Sequence, residues 1–310
     1  MRVLFWGTPR FALPSLRALL GEGHDVVGVV TQPDRPAGRG RRLTRSPVKD
    51  VAIEERISVL TPDVPHGMAF LDTLQVLRPE ISVVVAYGHI LRREVLDLPK
   101  RGSVNVHASL LPELRGAAPV AWAVARGYER TGVTIMRMDE GMDEGPILLQ
   151  REVPIGREDT ASDLAQRLAE VGAEALVEAL ALLGAGALVS VKQDRSRATF
   201  APKVGRAVAR IDWSRPAREV ADHIRGMDAR PGAWTLLSDE PIKLFRPRVH
   251  RFSTGGRPGS ILCVDPGLGL GVGTGDSAIV VGEVQLAGKR RMEVGAWLRG
   301  GGPSVGDLFQ

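Results

Sequence analysis

Apolar positions in the first two thirds of the chain come in short unbroken runs, separated by longer stretches with helical spacing. Arg2–Trp6, Asp25–Thr31, Ile57–Leu60, Ile81–Ala86 and Ser103–His107 are rich in Val, Ile and Leu and bounded by turn residues. Such runs read as strands buried on both faces. Helical patterns cover Thr8 to Leu20, Val48–Arg56, Met68–Leu77 and Ile90–Leu96. Thr8-Pro9 reads as an N-cap followed by proline at the first helical position, with Gly21 as the stop. A helix over Ala117–Arg126, strands over Val133–Met138 and Ile147–Val153, and a long helix over Thr160–Leu183 continue the alternation. The pattern predicts an α/β, Rossmann-like fold: a mostly parallel sheet with helices on both faces.

The texture changes near Gly184. From about Ser190 to Arg210 the chain is polar and basic without lasting periodicity, as an interdomain linker would be. One helix suits Ala217–Gly226. Short strands broken by glycine follow at Gly232–Leu237, Ile242–Phe252, Gly259–Val264, Gly267–Thr274, Ala278–Val281 and Arg291–Val294. Their number and spacing predict a small closed barrel. The expected domains are therefore 1–189, a linker at 190–208, and 209–310, which suits a chain of 310 residues.

Composition narrows the class. With 44% apolar and 25% charged residues, a disordered or collagen-like chain is excluded. The single cysteine, Cys263, excludes an internal disulfide and a Cys-based zinc site, and fits a reducing compartment. No apolar run approaches the ~18 residues of a membrane span, and the first strand is too short for a signal peptide. A cytoplasmic protein without membrane contact is expected. Nothing demands a dimer, so a monomer is expected too.

Charge adds a second theme. The chain has 41 basic residues, six of them lysine, against 36 acids. Residues 31–49 hold Arg35, Arg39, Arg41, Arg42, Arg45 and Lys49 against Asp34 alone. Residues 191–210 hold Lys192, Arg195, Arg197, Lys203, Arg206 and Arg210 against Asp194 alone. Two basic stretches in loops suit a surface that tracks phosphates. They equally suit solvated loop charge.

Several motifs fail on inspection. Gly7-Thr8-Pro9 lacks the glycines of a dinucleotide loop, and Pro9 lacks an N–H for a pyrophosphate. The glycine-rich run 267–275 opens no helix and reads as a hairpin or barrel bend. The acidic stretch 139–145 departs from a calcium loop, so no metal is expected. Trp213, Trp234 and Trp297 read as packing residues rather than stacking platforms.

One cluster carries chemistry. Asn105 and His107 sit two apart at the end of a strand, so their side chains share a face at the carboxyl edge of the sheet. Asp143 follows the next strand. If that strand lies beside Ser103–His107, an amide, an imidazole and a carboxylate converge. That set suits acyl transfer to an amine. Asn105 would donate to a developing oxyanion. His107 would polarise the carbonyl or move a proton. Asp143 would orient the imidazole or accept the amine proton. The plainer reading is a capped strand end and a surface turn.

The strings Asn105-Val-His-Ala-Ser-Leu-Leu-Pro112, Arg115-Gly-Ala-Ala-Pro119, Thr131-Gly-Val-Thr-Ile-Met136 and Gly141-Met-Asp-Glu-Gly145 closely resemble the methionyl-tRNA formyltransferase family. Phe5-Trp-Gly-Thr-Pro9, residues 31–40, Ser46-Pro-Val-Lys49, Val84-Val-Ala-Tyr-Gly88 and Arg210-Ile-Asp-Trp213 extend the resemblance from end to end. It implies transfer of a formyl group from 10-formyltetrahydrofolate to the α-amine of methionyl initiator tRNA. It implies Asn105, His107 and Asp143 as the catalytic set. It implies folate contacts at Ser109, Leu110, Leu111 and Pro112, with Tyr87 lining a folate or methionine pocket. It implies tRNA contacts at Arg35, Arg39, Arg41, Arg42, Lys203 and Arg206, and an OB-like C-terminal barrel along the tRNA. The chain departs from the family at Glu113-Leu114, at His89 and at Asp228-Ala229-Arg230. The competing readings are a folate-dependent formyltransferase acting on a small amine, such as a sugar nucleotide or glycinamide ribotide, and an RNA-binding protein without activity. The first has no use for the basic segments; the second predicts a damaged catalytic set.

Overall fold

The computed structural model describes residues 1–37, 42–250 and 256–310. The chain divides into two compact units. One comprises residues 1–119, 131–154 and 165–202; the other comprises 120–130, 155–164 and 203–310. In chain order the elements begin with β1 (Arg2–Gly7), α1 (Leu13–Gly21), β2 (Asp25–Val30), β3 (Arg35–Ala37), β4 (Arg42–Thr44), α2 (Pro47–Glu54) and β5 (Val59–Leu60). Next come α3 (Met68–Leu77), β6 (Ile81–Val85), α4 (Arg93–Leu96), β7 (Ser103–His107), α5 (Pro119–Ala125), β8 (Arg130–Arg137), β9 (Ile147–Pro154) and α6 (Ala161–Gly184). Then follow α7 (Ala217–Gly226), β10 (Trp234–Leu237), β11 (Glu240–His250), β12 (Ile261–Asp265), β13 (Gly269–Gly273), β14 (Ala278–Leu286), β15 (Met292–Glu293) and α8 (Val294–Arg299).

The first unit is built on a seven-stranded sheet in the order β5-β2-β1-β6-β7-β8-β9. The pairs from β5 to β7 are parallel, and β7 meets β8 antiparallel. The sheet is therefore mostly parallel, as the unbroken apolar runs require. All five residues of β6 are buried, which fits a strand covered on both faces. Leu4, Trp6, Val30, Val84, Tyr87 and Leu91 form one core cluster. The Trp6 indole N–H donates to the Ser82 hydroxyl at 3.2 Å.

Three local expectations need correction. Thr8 caps no helix: a 3₁₀ turn over Arg10–Ala12 intervenes, and α1 starts at Leu13. The Thr8 hydroxyl donates to the Tyr87 carbonyl at 3.1 Å and accepts the Gln32 N–H at 3.3 Å. Backbone groups at the ends of three strands need partners there, and that demand outweighs capping. The helix expected over Ile90–Leu96 is only α4, because Ile90 is 80% exposed while Leu91 is buried, so the two do not share one apolar face. Part of the basic stretch 31–49 is a two-stranded antiparallel ribbon, β3 with β4, pairing Arg35 with Thr44 and Pro36 with Leu43. Its residues carry no alternating pattern to announce it. Its base is tied down by the Lys49–Asp34 ion pair at 2.8 Å and by Ser46, which caps α2 through the Lys49 N–H.

The second unit is an antiparallel sheet in the order β10-β11-β14-β13-β12, with β15 on β14. Residues 307–310 join its two edges. Phe309 donates to the Gly259 carbonyl, Ile261 to Asp307, and Leu236 exchanges two hydrogen bonds with Gln310. The sheet thus closes, as its short glycine-broken strands anticipate. The β12–β13 turn is the hairpin expected of the glycine run: the Asp265 carboxylate accepts the N–H groups of Gly267 and Leu268, which holds its pKa below the usual range. A Cβ on Gly269 would lie 2.5 Å from the Val281 carbonyl oxygen, so glycine is required for the strands to pass. Trp213 is buried and stacks on Phe309 at 5.6 Å, and Trp297 is buried too, as packing residues. The short helix α8 was not apparent in the sequence.

Candidate active site

β7 brings Asn105 and His107 to the carboxyl end of the parallel strands. Asn105 lies opposite Met136, and His107 opposite Thr134, on the antiparallel neighbour β8. Beyond β8 the chain turns through residues 139–146 and returns to the end of β7. Asp143 Oδ2 thereby lies 3.7 Å from His107 Nδ1. Two of the three expected groups thus come face to face, and Asn105 shares their strand end.

The imidazole is fixed from its other side. His107 Nε2 is 3.0 Å from the Leu114 carbonyl, which only accepts, so the neutral ring carries its proton on Nε2. Nδ1 then presents a lone pair on the side of Asp143. His107 is 5% exposed, so this contact is largely shielded from water. Asp143 holds a left-handed backbone, φ +53°. Its Oδ2 also accepts the Gly116 N–H at 2.8 Å. Asn105 is half-buried, and no described residue hydrogen-bonds its side-chain amide.

The segment from Ser109 to Pro112 is locked into a turn. Thr134 Oγ1 donates to the Ser109 carbonyl at 2.7 Å and accepts the Leu111 N–H at 3.1 Å. Gln150 Nε2 donates to the Leu111 carbonyl at 3.0 Å. The Ser109 hydroxyl donates to the Glu113 carbonyl at 2.6 Å. Ser109, Leu111 and Pro112 are buried and Leu110 is half-buried. Tyr87 lies in the core, edge-on to Trp6 at 5.2 Å. Its buried hydroxyl has no partner among the described residues, the Asn-His-Asp set included, and burial pushes the phenol up to about 12. Thr134, Gln150, Arg115, Gln193 and Thr199 also support the site. Arg115 and Thr134 lie inside motifs that the sequence already singles out, whereas Gln150, Gln193 and Thr199 carry no signal there beyond being polar.

The basic candidates lie on both units. Arg35 and Arg42 are exposed on the β3–β4 ribbon, and Arg35 donates to Gln32 Oε1 at 3.1 Å. Arg39 and Arg41 lie outside the described residues. Lys203 and Arg206 are exposed in the second unit. The guanidinium groups of Arg206 and Arg210 lie 4.8 and 5.6 Å from the centre of the half-buried Trp234 ring. The residues that depart from the resemblance are themselves paired. Glu113 is 3.9 Å from Arg197, and buried Asp228 is 3.0 Å from Arg291. Burial raises the Asp228 carboxyl against the pull of Arg291. His89 Nε2 is 3.0 Å from Gln32 Oε1. Among the described residues no cluster of three or more His, Cys, Asp or Glu side chains could hold a metal, and no helix is long and apolar enough to cross a membrane.

Comparison with known proteins gives a consistent result. Residues 1–180 match the formyl transferase family, and residues 203–302 match the formyl transferase C-terminal domain. A methionyl-tRNA formyltransferase of Anaeromyxobacter dehalogenans is 49% identical over 292 residues, covering 93% of each chain. One of Pelobacter propionicus is 45% identical over 298 residues, covering 96% of this chain and 92% of its own. Among solved structures, the N-formyltransferase of Helicobacter canadensis in complex with folinic acid and dTDP-3-aminofucose superposes with a TM-score of 0.69 at 16% identity. It covers 94% of this chain and all of its own. That likeness shows the shared fold.

Proposed function

The chain belongs to the methionyl-tRNA formyltransferase family, and on that premise we propose that Asn105, His107 and Asp143 carry out its reaction. The protein transfers the formyl group of 10-formyltetrahydrofolate to the α-amine of methionine on initiator tRNA. The observation that carries the residue assignment is the meeting at one strand end of a free amide, an imidazole with a fixed tautomer, and a carboxylate.

The folate supplies the formyl carbonyl. The Asn105 amide, without a partner among the described residues, is free to donate to the carbonyl oxygen as negative charge develops on it. The Leu114 carbonyl holds the proton on Nε2 and makes Nδ1 the basic atom. Nδ1 accepts the proton that the amine loses as its nitrogen bonds to the formyl carbon. The carboxylate of Asp143, 3.7 Å away, stabilises the imidazolium so formed. The proton then passes to the folate nitrogen as its bond to the formyl carbon breaks. Ser109, Leu110, Leu111 and Pro112 form the folate-side wall, with Tyr87 lining the pocket behind.

The basic residues divide the remaining work. Arg35, Arg39, Arg41 and Arg42 engage the acceptor end of the tRNA, and Lys203 and Arg206 engage it from the linker. On this reading residues 1–189 are the catalytic domain, 190–208 the linker, and 209–310 the OB-like tRNA-binding domain. The protein acts as a cytoplasmic monomer, where charged initiator tRNA is made and used. The test is formyl transfer from 10-formyltetrahydrofolate to methionine-charged initiator tRNA and, separately, to methionine-charged elongator tRNA. Transfer to the initiator alone supports the assignment. Folate binding without transfer to either tRNA moves the acceptor to a small amine.

A further inference from the structure

The stretch that follows α6 is pinned onto the site. Val191 exchanges two backbone hydrogen bonds of 2.8 Å with Ile147, and Phe200 bridges to Arg115. Between these anchors Gln193 reaches the loop that carries Asp143. Its Nε2 donates to the carbonyls of Asp143 and Gly145, both at 2.8 Å. Its Oε1 accepts from Nε and Nη2 of Arg115 at 3.1 and 2.7 Å. Arg115 is 2% exposed and Gln193 is half-buried, so the junction is partly withdrawn from solvent. From the same stretch, Thr199 Oγ1 accepts the N–H of Leu114 at 2.8 Å, and the Leu114 carbonyl is what holds His107.

The Asp143 loop needs such support. Asp143 sits at φ +53°, a conformation that residues other than glycine adopt reluctantly. The loop's own Asp139 braces it only at short range, accepting the Gly141 N–H at 3.1 Å. The junction demands two N–H donors aimed at carbonyls and one acceptor aimed at a guanidinium. Among side chains a primary amide offers both at one end, and glutamine supplies the length.

We propose that Gln193 is a positioning residue for the formyl transfer: its amide fixes the loop at residues 143–145 so that the Asp143 carboxylate faces His107 Nδ1. The inference rests on the assignment of Asp143 made above. Gln193→Glu keeps the acceptor for Arg115 but loses both donors and sets a carboxylate against two carbonyl oxygens. A displacement of about 1 Å in a catalytic group costs on the order of 10²-fold. In the full-length protein, Gln193→Glu is therefore expected to lower kcat at least 10-fold and towards 10²-fold. KM for folate and for tRNA should stay within about threefold, and the pH profile of kcat should shift. Gln193→Leu, which removes every bond of the amide, should show the same split.

Asp143→Asn is measured alongside to separate the two claims. A kcat for Gln193→Glu within twofold of the unsubstituted protein, with Asp143→Asn strongly impaired, overturns the positioning role alone. A loss of kcat that merely follows a lower folded fraction, with the pH profile unmoved, overturns it as well. An unimpaired Asp143→Asn overturns the catalytic assignment beneath it.

Discussion

Asp143→Asn is the sharpest test of the proposed chemistry. The substitution is nearly isosteric. The side-chain oxygen can still accept the Gly116 N–H now made at 2.8 Å, so the loop keeps that anchor. What disappears is a full negative charge 3.7 Å from His107 Nδ1. Coulomb's law at that distance gives about 4.5 kcal/mol at an effective dielectric of about 20 and about 1 kcal/mol at that of water. With His107 only 5% exposed, the true value lies toward the first figure. At about 1.4 kcal/mol per tenfold, kcat should fall between about fivefold and a little over 10³-fold. The loss should appear in kcat because the imidazolium exists only after the proton has moved. Single-turnover formyl transfer from saturating 10-formyltetrahydrofolate to methionyl initiator tRNA measures it, with folate affinity determined in parallel. A rate within twofold of the unsubstituted protein, with folate affinity intact, would refute the role given to this carboxylate.

Other parts of the molecule make tests of their own. Arg35→Ala and Arg42→Ala should each flatten the dependence of log tRNA affinity on log salt by about one unit per phosphate that the arginine neutralises; an unchanged slope removes that residue from phosphate binding. Phe309→Ala deletes a 2%-exposed ring stacked on Trp213 where the barrel closes, and should cost about 3–5 kcal/mol in chemical denaturation of the C-terminal unit. Burial, the largest cause, lowers the pKa of His223 below its ordinary value. The unfolded chain therefore binds more protons as pH falls through about 6.5, and stability declines there. His223→Gln should flatten the fall in Tm between pH 7 and 5; an unchanged fall assigns it to other groups.

The strands of the first unit were legible because a parallel sheet buried on both faces leaves a mark that little else leaves. Ser103–His107 matches β7 residue for residue, and the helix expected roughly over Met68–Leu77 is α3. The first helix misled because Thr8-Pro9 is a good local cap, yet Thr8 sits where three strand ends demand hydrogen bonds. The β3–β4 ribbon is too short and too charged to show alternation, and residues 307–310 close the barrel through backbone groups that no side chain advertises. In the proposed site, the sequence anticipates that Asn105 and His107 share a strand end and that Asp143 comes beside His107, because each is a reactive type next to a strand end. Gln193 was not legible. It lies 50 residues from Asp143, amid polar neighbours, and only the fold of the segment shows which polar residue turns inward.

That inward turn bears on substrate choice. The Helicobacter canadensis N-formyltransferase, in complex with dTDP-3-aminofucose, has the same fold at 16% identity; fold by itself does not fix function, which lies in the residues of the site. In the present chain residues 191–201 face two ways. Gln193 and Thr199 hold the backbone around Asp143 and His107, while Lys192, Arg195 and Arg197 are exposed. Arg195 and Arg197 rest 3.4 and 3.9 Å from Glu144 and Glu113, two acids of the loops that carry the site. Exposed pairs of this kind are weak, and arginine pairs with a phosphate in the same bidentate geometry as with a carboxylate. A polyanion drawn to these arginines would meet the segment whose Gln193 and Thr199 hydrogen-bond the backbone of Asp143 and Leu114. The same eleven residues thus carry exposed cations on one side and, on the other, the side chains that hydrogen-bond the backbone around Asp143 and Leu114.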